Sequence, residues 1–252
     1  MRGLADVLLT EKLAAPRALS VIEGALYGPP LPGSRRAWLA WLEAPSDAGV
    51  LDAVIARAKG DGATSLTYGG PPGNYLVSGL DARDRGSLAW LTERGFREHG
   101  RHFDLVCEPG DGSDARAKFE RATEAPFAWI AENFATAWAM EATRAASHDG
   151  LFLARDEGGS LVGFAAHSGN RAAEGTFGPI GVLGSARGTG VGSLLARAAF
   201  DDLADRGFRS VTVPWVEART VAFYERLVQV RERIERVELR LDLGGAHPVR
   251  GL

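Results

Sequence analysis

The chain has 252 residues, 45% of them hydrophobic and 24% charged, with a formal net charge of −3. That length holds one large domain or two small ones around a sizeable core, and the absence of a basic surplus excludes a protein whose main work is gripping nucleic-acid phosphates. The one cysteine, Cys107, makes no intrachain disulfide, and no stretch approaches the roughly 18 apolar residues of a membrane span, so the expected setting is cytoplasmic, with no nucleic-acid or membrane partner.

Residues 1–14 have the spacing of an amphipathic helix, with Leu4, Leu8 and Leu9 on one side. Ala18–Tyr27 reads as a strand stopped by Gly28-Pro29-Pro30, and Arg36–Leu42 as another. Asp47–Lys59 is helical, with Val50, Val54, Ile55 and Ala58 at helix spacing and Gly60 and Gly62 at its end. Thr64–Tyr68 is a strand, Gly69–Gly73 a turn, Gly86–Arg94 a helix and His102–Cys107 a strand. Glu108 to Ser113 and Asp114 collects Pro, two Gly, Ser and three acids, the composition of a linker. It divides the chain into domains at 1–108 and 115–252, with 109–114 between them.

The second part opens with a helical region, Ala115–Ala146, interrupted near Pro126, in which Trp129, Phe134 and Trp138 fall near one face. Leu151–Arg155 and Leu161–Ala166 are strands joined by the hairpin signal Asp156-Glu157-Gly158-Gly159. Thr176–Leu183 is a strand, Gly190–Asp205 a helix, Phe208–Trp215 a strand, Thr220–Leu227 a short helix and Val237–Leu243 a final strand. A short internal match links Ser87-Leu88-Ala89-Trp90-Leu91 to Thr220-Val221-Ala222-Phe223-Tyr224, and repeated supersecondary order of this kind points to two copies of one fold.

The segment that carries chemistry is Arg187-Gly188-Thr189-Gly190-Val191-Gly192-Ser193, between an apolar strand and a helix. Glycines let backbone N–H groups come close to a bulky anion, a helix N-terminus adds unpaired donors, and Arg187 adds a charged fork. The combination suits a pyrophosphate. A dinucleotide fingerprint needs a third glycine where Ser193 stands and an acid at the end of the next strand, which arrives only at Glu217. A nucleoside-triphosphate loop needs a Lys, and none is near.

Arg187-x-x-Gly190-x-Gly192 after an apolar strand resembles the signature of the GNAT acetyltransferases. The resemblance implies two tandem GNAT-like domains of the α/β (α+β) class, each a mixed, mostly antiparallel sheet flanked by helices. It implies acetyl-CoA as cosubstrate, its pyrophosphate in the Arg187–Ser193 loop and its pantetheine along Ile180 and Val182. Phe223-Tyr224-Glu225-Arg226 resembles the family's later helix, which puts Tyr224 in the place of the acid that protonates the departing thiolate. Glu217 stands where the family often has Asn. The first-half turn Glu43–Gly49 has no Arg and carries two acids, and Leu91 matches Tyr224, so the N-terminal copy is expected to lack cofactor binding.

The implied reaction is direct attack of an amine on the thioester, with backbone N–H groups near Val182 supporting the oxyanion. Glu174, Glu217 and His167 are the candidates for assisting deprotonation. No metal is expected: His99 and His102 lack a third ligand beside them. The acceptor, a small amine or a peptide amine, stays open among polyamine, amino sugar, antibiotic, amino acid and protein N-terminus. The chain is expected as a monomer with an internal pseudo-dimer or as a homodimer. A non-catalytic acyl-CoA sensor or interaction protein on the same scaffold is the alternative function.

Overall fold

A computed structural model describes residues 20–22, 24–30, 33–42, 47–71, 77–110, 115 and 118–244. The helix expected at 1–14 lies outside the described residues, as do 43–46, 72–73 and 111–114 of the expected turns and linker. The chain forms two units: residues 1–71, 75–101 and 235–252 make the first, and 72–74 and 102–234 the second. Residues 109 and 110 thus fall inside the second unit, and the chain returns to the first at Glu235. Composition does not reveal this, because it depends on strand pairing between residues far apart in sequence.

In the first unit, β1 (Ser20–Ile22), β2 (Ala25–Gly28), β3 (Arg36–Leu42) and β4 (Ser65–Tyr68) lie side by side in chain order. The expected strand Ala18–Tyr27 is in fact a hairpin, with Ile22 opposite Ala25 and Gly24 at φ 97°. Only a glycine takes that angle without strain. β3 and β4 run parallel over four consecutive pairs, from Arg36 with Ser65 to Leu39 with Tyr68. The end of β12 (Gln229–Asp242) pairs antiparallel with β4, and β5 (Leu80–Asp81) pairs with Arg236 and Val237. Asp47 caps α1 (Ala48–Gly60) by accepting from the N–H groups of Gly49 and Val50. This helix buries Val50, Leu51, Val54 and Ala58 in a core with Leu39, Leu66 and Leu239. Leu51 and Val54 are essentially removed from water, and each contributes roughly 1.5–3 kcal/mol. α2 (Arg85–Glu93), capped by Asp84, adds the fully buried Leu91.

In the second unit, β7 (Glu120–Arg121), β8 (Leu151–Arg155), β9 (Leu161–His167) and β10 (Phe177–Val182) form an antiparallel sheet in the order β10-β9-β8-β7. β11 (Val211–Val216) pairs antiparallel with the end of β6 (Arg97–Glu108). Two-residue alternation gives this sheet two buried faces. Phe152, Ala154 and Ala165 enter one core with α5 (Val191–Asp205) and α6 (Ala218–Glu225). Leu151, Leu153, Phe164 and Ala166 enter another with α3 (Phe127–Asn133) and α4 (Thr136–Ala146). The sheets are mostly antiparallel and flanked by helices, as the sequence predicts. The helix expected from Ala115 starts only after Pro126: Glu120 and Arg121 pair instead with Leu153 and Phe152. Pro126 disfavours helix at the residue before it, and Arg121 is drawn to Asp202 and to the carbonyl of Asp149. No described helix is long and apolar enough to cross a membrane.

Two polar clusters lie inside the second unit. His167 is fully buried; its Nε2 lies 2.9 Å from Asp202 Oδ2 and its Nδ1 3.0 Å from Ser168 Oγ. Asp202 also accepts from Arg121 and Arg206. Burial works against its charge, but the bonds from His167 and Arg121 outweigh it and hold the carboxyl below the usual range. On α4, Glu141 accepts from Asn170 at 2.7 Å, while its Oε1 is buried without a partner. Burial pushes its pKa up to about 7, against the pull of Arg144 and Asn170. The unfolded carboxyl ionises near pH 4.5, so between that pH and 7 the unfolded state gains a charge that the folded state resists. Glu141→Gln is therefore expected to raise stability by roughly 2–3 kcal/mol at pH 8, with a much smaller gain at pH 5. Thermal unfolding of both proteins at the two pH values checks this, and an equal shift at both would contradict it.

Candidate active site

β10 is the strand on which the site is built. Leu183 N–H donates to Val162 O at 2.8 Å, which fixes the phase of its pairing with β9. Residues 181 and 183 turn their backbone groups toward β9, so those of Ile180 and Val182 point to the opposite edge. That edge faces β11, and the two strands share a single parallel bridge, Thr176 with Thr212, in which Thr212 N–H donates to Gly175 O. Continuing the ladder would pair 178 with 214. It would need an N–H from residue 214 for the carbonyl of 177, and one from residue 179 for the carbonyl of 214. Both donors are prolines, Pro214 and Pro179, and neither has an N–H. The strands diverge there, and beyond Thr176 the outer edge of β10 has no strand partner among the described residues. In the first unit, β3, α1 and β4 follow the same order, but their four-pair ladder contains no proline and stays closed.

Where β10 ends, a single 3₁₀ turn, Gly184–Ala186, leads to Arg187 and then to α5. Gly188 and Gly190 have φ of 80° and 88°, and a Cβ on either would point into open space. No side chain caps α5, whose first-turn residues Val191, Gly192 and Ser193 are half-buried. Thr189 Oγ1 donates to Ala186 O at 2.7 Å, and Arg187 Nε donates to Val182 O at 3.2 Å. The loop is therefore braced by its own side chains. Its exposed face offers backbone donors at a positive helix end, with a guanidinium beside them. This is a cradle for a phosphate-sized anion, at the mouth of the gap between β10 and β11.

The structure brings Tyr224 toward the same gap. Its ring packs edge-on against Phe177 of β10 at 6.0 Å and against Phe223 at 5.1 Å. The side chain is buried, and its hydroxyl makes no hydrogen bond among the described residues. Burial, with Cys107 beside it, pushes the phenol well above its ordinary pKa. Glu217 and Glu174 do not come into the core. Glu217 precedes α6 and pairs with Arg219 at 2.6 Å; Glu174 precedes β10 and pairs with Arg171 at 3.1 Å; both are exposed. His167 leaves the candidates for a base: it is sealed from solvent, and both ring nitrogens are engaged. Sequence reasoning missed the roles of Pro179 and Pro214, whose meaning appears only with the strand register. It also missed Gly181, where a Cβ would sit 2.7 Å from Phe134 Cε1 and 2.8 Å from Phe164 Cε1.

Comparison with known proteins adds to this geometry. The model of the Acetyltransferase (GNAT) family matches residues 116–228. No curated protein matches by sequence. Among solved structures, a GCN5-related N-acetyltransferase from Kribbella flavida superposes with a TM-score of 0.62 at 19% identity, covering 96% of this chain and 95% of its own. A tandem GNAT protein from the clavulanic acid biosynthesis pathway gives 0.56 at 18% identity, covering 85% and 77%. The glucosamine N-acetyltransferase region of a fungal multi-domain β-N-acetylglucosaminidase gives 0.65 at 19% identity, covering 84% of this chain and 30% of that one. The present chain thus spans under a third of the fungal enzyme. At these identities the likenesses show the fold.

Proposed function

Because residues 116–228 match the model of the Acetyltransferase (GNAT) family, we propose that the protein is an acetyltransferase of that family and moves an acetyl group from acetyl-CoA to a primary amine, at one site per chain in the second unit. One observation carries this reading. The strand edge left open by Pro179 and Pro214 runs straight into an uncapped, glycine-lined helix start. A ligand that fills both needs an extended arm with amide groups and a pyrophosphate at its end, and acetyl-CoA has that form. The closed β3–β4 ladder offers no such edge, which supports a single donor site. The single buried cysteine is in keeping with a cytoplasmic protein.

In the proposed reaction the amine nitrogen attacks the acyl carbon. A C–N bond forms, the C–S bond breaks, and the outgoing sulfur takes the proton of the Tyr224 hydroxyl, which solvent restores. Tyr224 suits the role by position, since its ring packs against Phe177 of β10, and a phenol is protonated at neutral pH. Backbone N–H groups at Ile180 and Val182 face the gap, where they would support the oxyanion. The ammonium proton leaves through water, relayed by Glu174 or Glu217, both of which are exposed. Arg187 and residues 188–193 would hold the pyrophosphate.

Calorimetry with acetyl-CoA and CoA, followed by a thiol-release assay over a panel of amines, tests the reading. Micromolar binding and turnover of at least one amine are expected. Binding without turnover on any amine would instead fit an acyl-CoA sensor, and no binding of either ligand would overturn both.

A further inference from the structure

β11 does not keep a regular ladder with β6. Val211 faces Cys107 and Val213 faces Leu105, but the next core-facing rung joins Val216 to Phe103, so Pro214 and Trp215 together stand opposite Asp104. This is a β-bulge, with one residue more on β11 than on β6. Burial follows the shift: Val211 and Val213 enter the core in strand alternation, Val216 follows one residue late, and Trp215 stays out. Trp215 takes φ 60°, a left-handed conformation that a bulky side chain resists. Two neighbours on β6 hold it there. His102 stacks on its indole, with ring centroids 3.9 Å apart and planes 10° from parallel. Asp104 Oδ1 accepts from its backbone N–H at 3.3 Å. Both residues are buried on the face of β6 away from the α5 core, which takes Phe103, Leu105 and Cys107.

We propose that Asp104 is a positioning residue for Tyr224: by accepting the Trp215 N–H it selects the bulged register of β11, and so fixes where α6 begins. The inference rests on the reading of Tyr224 as the acid. In a regular ladder Trp215 would pair with Phe103, its N–H would go to the Phe103 carbonyl, and the last residues of β11 would turn to opposite faces. That arrangement would also relieve the left-handed φ, so the bulge needs a partner that the regular strand does not. The Asp104 carboxyl is that partner. Only Glu217 separates β11 from α6, and the N–H and Oγ1 of Thr220 both donate to its carbonyl at 2.8 Å. Across so short a joint, a slip in β11 passes directly to the helix. It would move Tyr224 off its edge-on contact with Phe177 of β10, the strand along which the proposed donor lies.

The test is a double-mutant cycle on kcat, with acetyl-CoA and the amine that turns over best. Asp104→Ala is expected to lower kcat by at least about tenfold, since a displacement on the order of 1 Å at a reacting group can cost about 100-fold. The dissociation constant for CoA should hold within about twofold, because the cofactor loop follows β10 rather than β11. Asp104→Asn keeps an oxygen acceptor in the same place and should retain most of the rate. In the Tyr224→Phe background, Asp104→Ala should cost less than about twofold more, because residues that act as a unit are non-additive. A merely structural Asp104 would lower kcat by the same factor in both backgrounds. That result, or an unchanged kcat in Asp104→Ala, would overturn the inference and leave the acetyltransferase reading standing. Failure of the unaltered protein to acetylate any amine would remove both. Where Asp104→Ala does not fold, Asp104→Ser, whose hydroxyl falls short of the Trp215 N–H, takes its place in the cycle with the same expectations.

Discussion

Tyr224→Phe is expected to lower kcat by about 100-fold or more, with the dissociation constant for CoA unchanged within about twofold. The structure separates these two effects. The Tyr224 ring is part of a core that includes Phe177, Val213, Val216 and Val221, and phenylalanine keeps that packing. The lost hydroxyl has no hydrogen-bond partner among the described residues, so its removal leaves no orphan behind. The melting temperature should therefore hold or rise, and a fall in rate cannot be assigned to misfolding. Because burial raises the phenol's pKa, the wild-type rate should not decline through the ordinary tyrosine range as pH increases. Steady-state kinetics with the amine that turns over best, beside CoA calorimetry, provide the measurement. An unchanged kcat would remove Tyr224 from the acid's place.

How much of this was legible in the sequence depends on the range of the interaction behind each feature. α1 was readable because its signals are local: Asp47 caps it and its apolar residues repeat at helix spacing. The β10–loop–α5 segment was readable for the same reason, since glycines and a helix start sit next to each other. The hairpin at Gly24 was misread as one strand because a two-residue turn barely interrupts an apolar run. The stretch before Pro126 was misread as helix because Arg121 is held by Asp202, 81 positions away. Pro179 and Pro214 were visible as residues from the start. Their effect was not, because it takes the Thr176–Thr212 bridge to align them on the same missing rung. Glu217 and Glu174 follow from position in a motif alone. Burial and pairing, which decide whether a carboxylate acts as a base, are long-range properties, and both residues turn out exposed and ion-paired.

Gly190→Val is expected to weaken CoA binding by about 100-fold, the equivalent of losing one or two hydrogen bonds to a charged group at roughly 1.5–3 kcal/mol each. Gly190 has φ 88° and ψ −9°, a left-handed conformation that a β-branched residue resists. A Cβ there meets no protein atom within 4 Å, so nothing in the fold itself collides with the new side chain. In the proposed reading, the space it would occupy is the one the pyrophosphate enters to reach the first N–H groups of α5. Strain and lost contact can be told apart at the other end of the same helix. Gly207 has φ 91°, and a Cβ there also meets open space. Gly207→Val therefore carries a similar backbone cost, about 1–2 kcal/mol, without touching the loop. The two variants should lose comparable stability in thermal unfolding, and only Gly190→Val should lose CoA in calorimetry. Equal CoA affinity in both would mean that the glycines serve the turn alone and that the phosphate is held elsewhere.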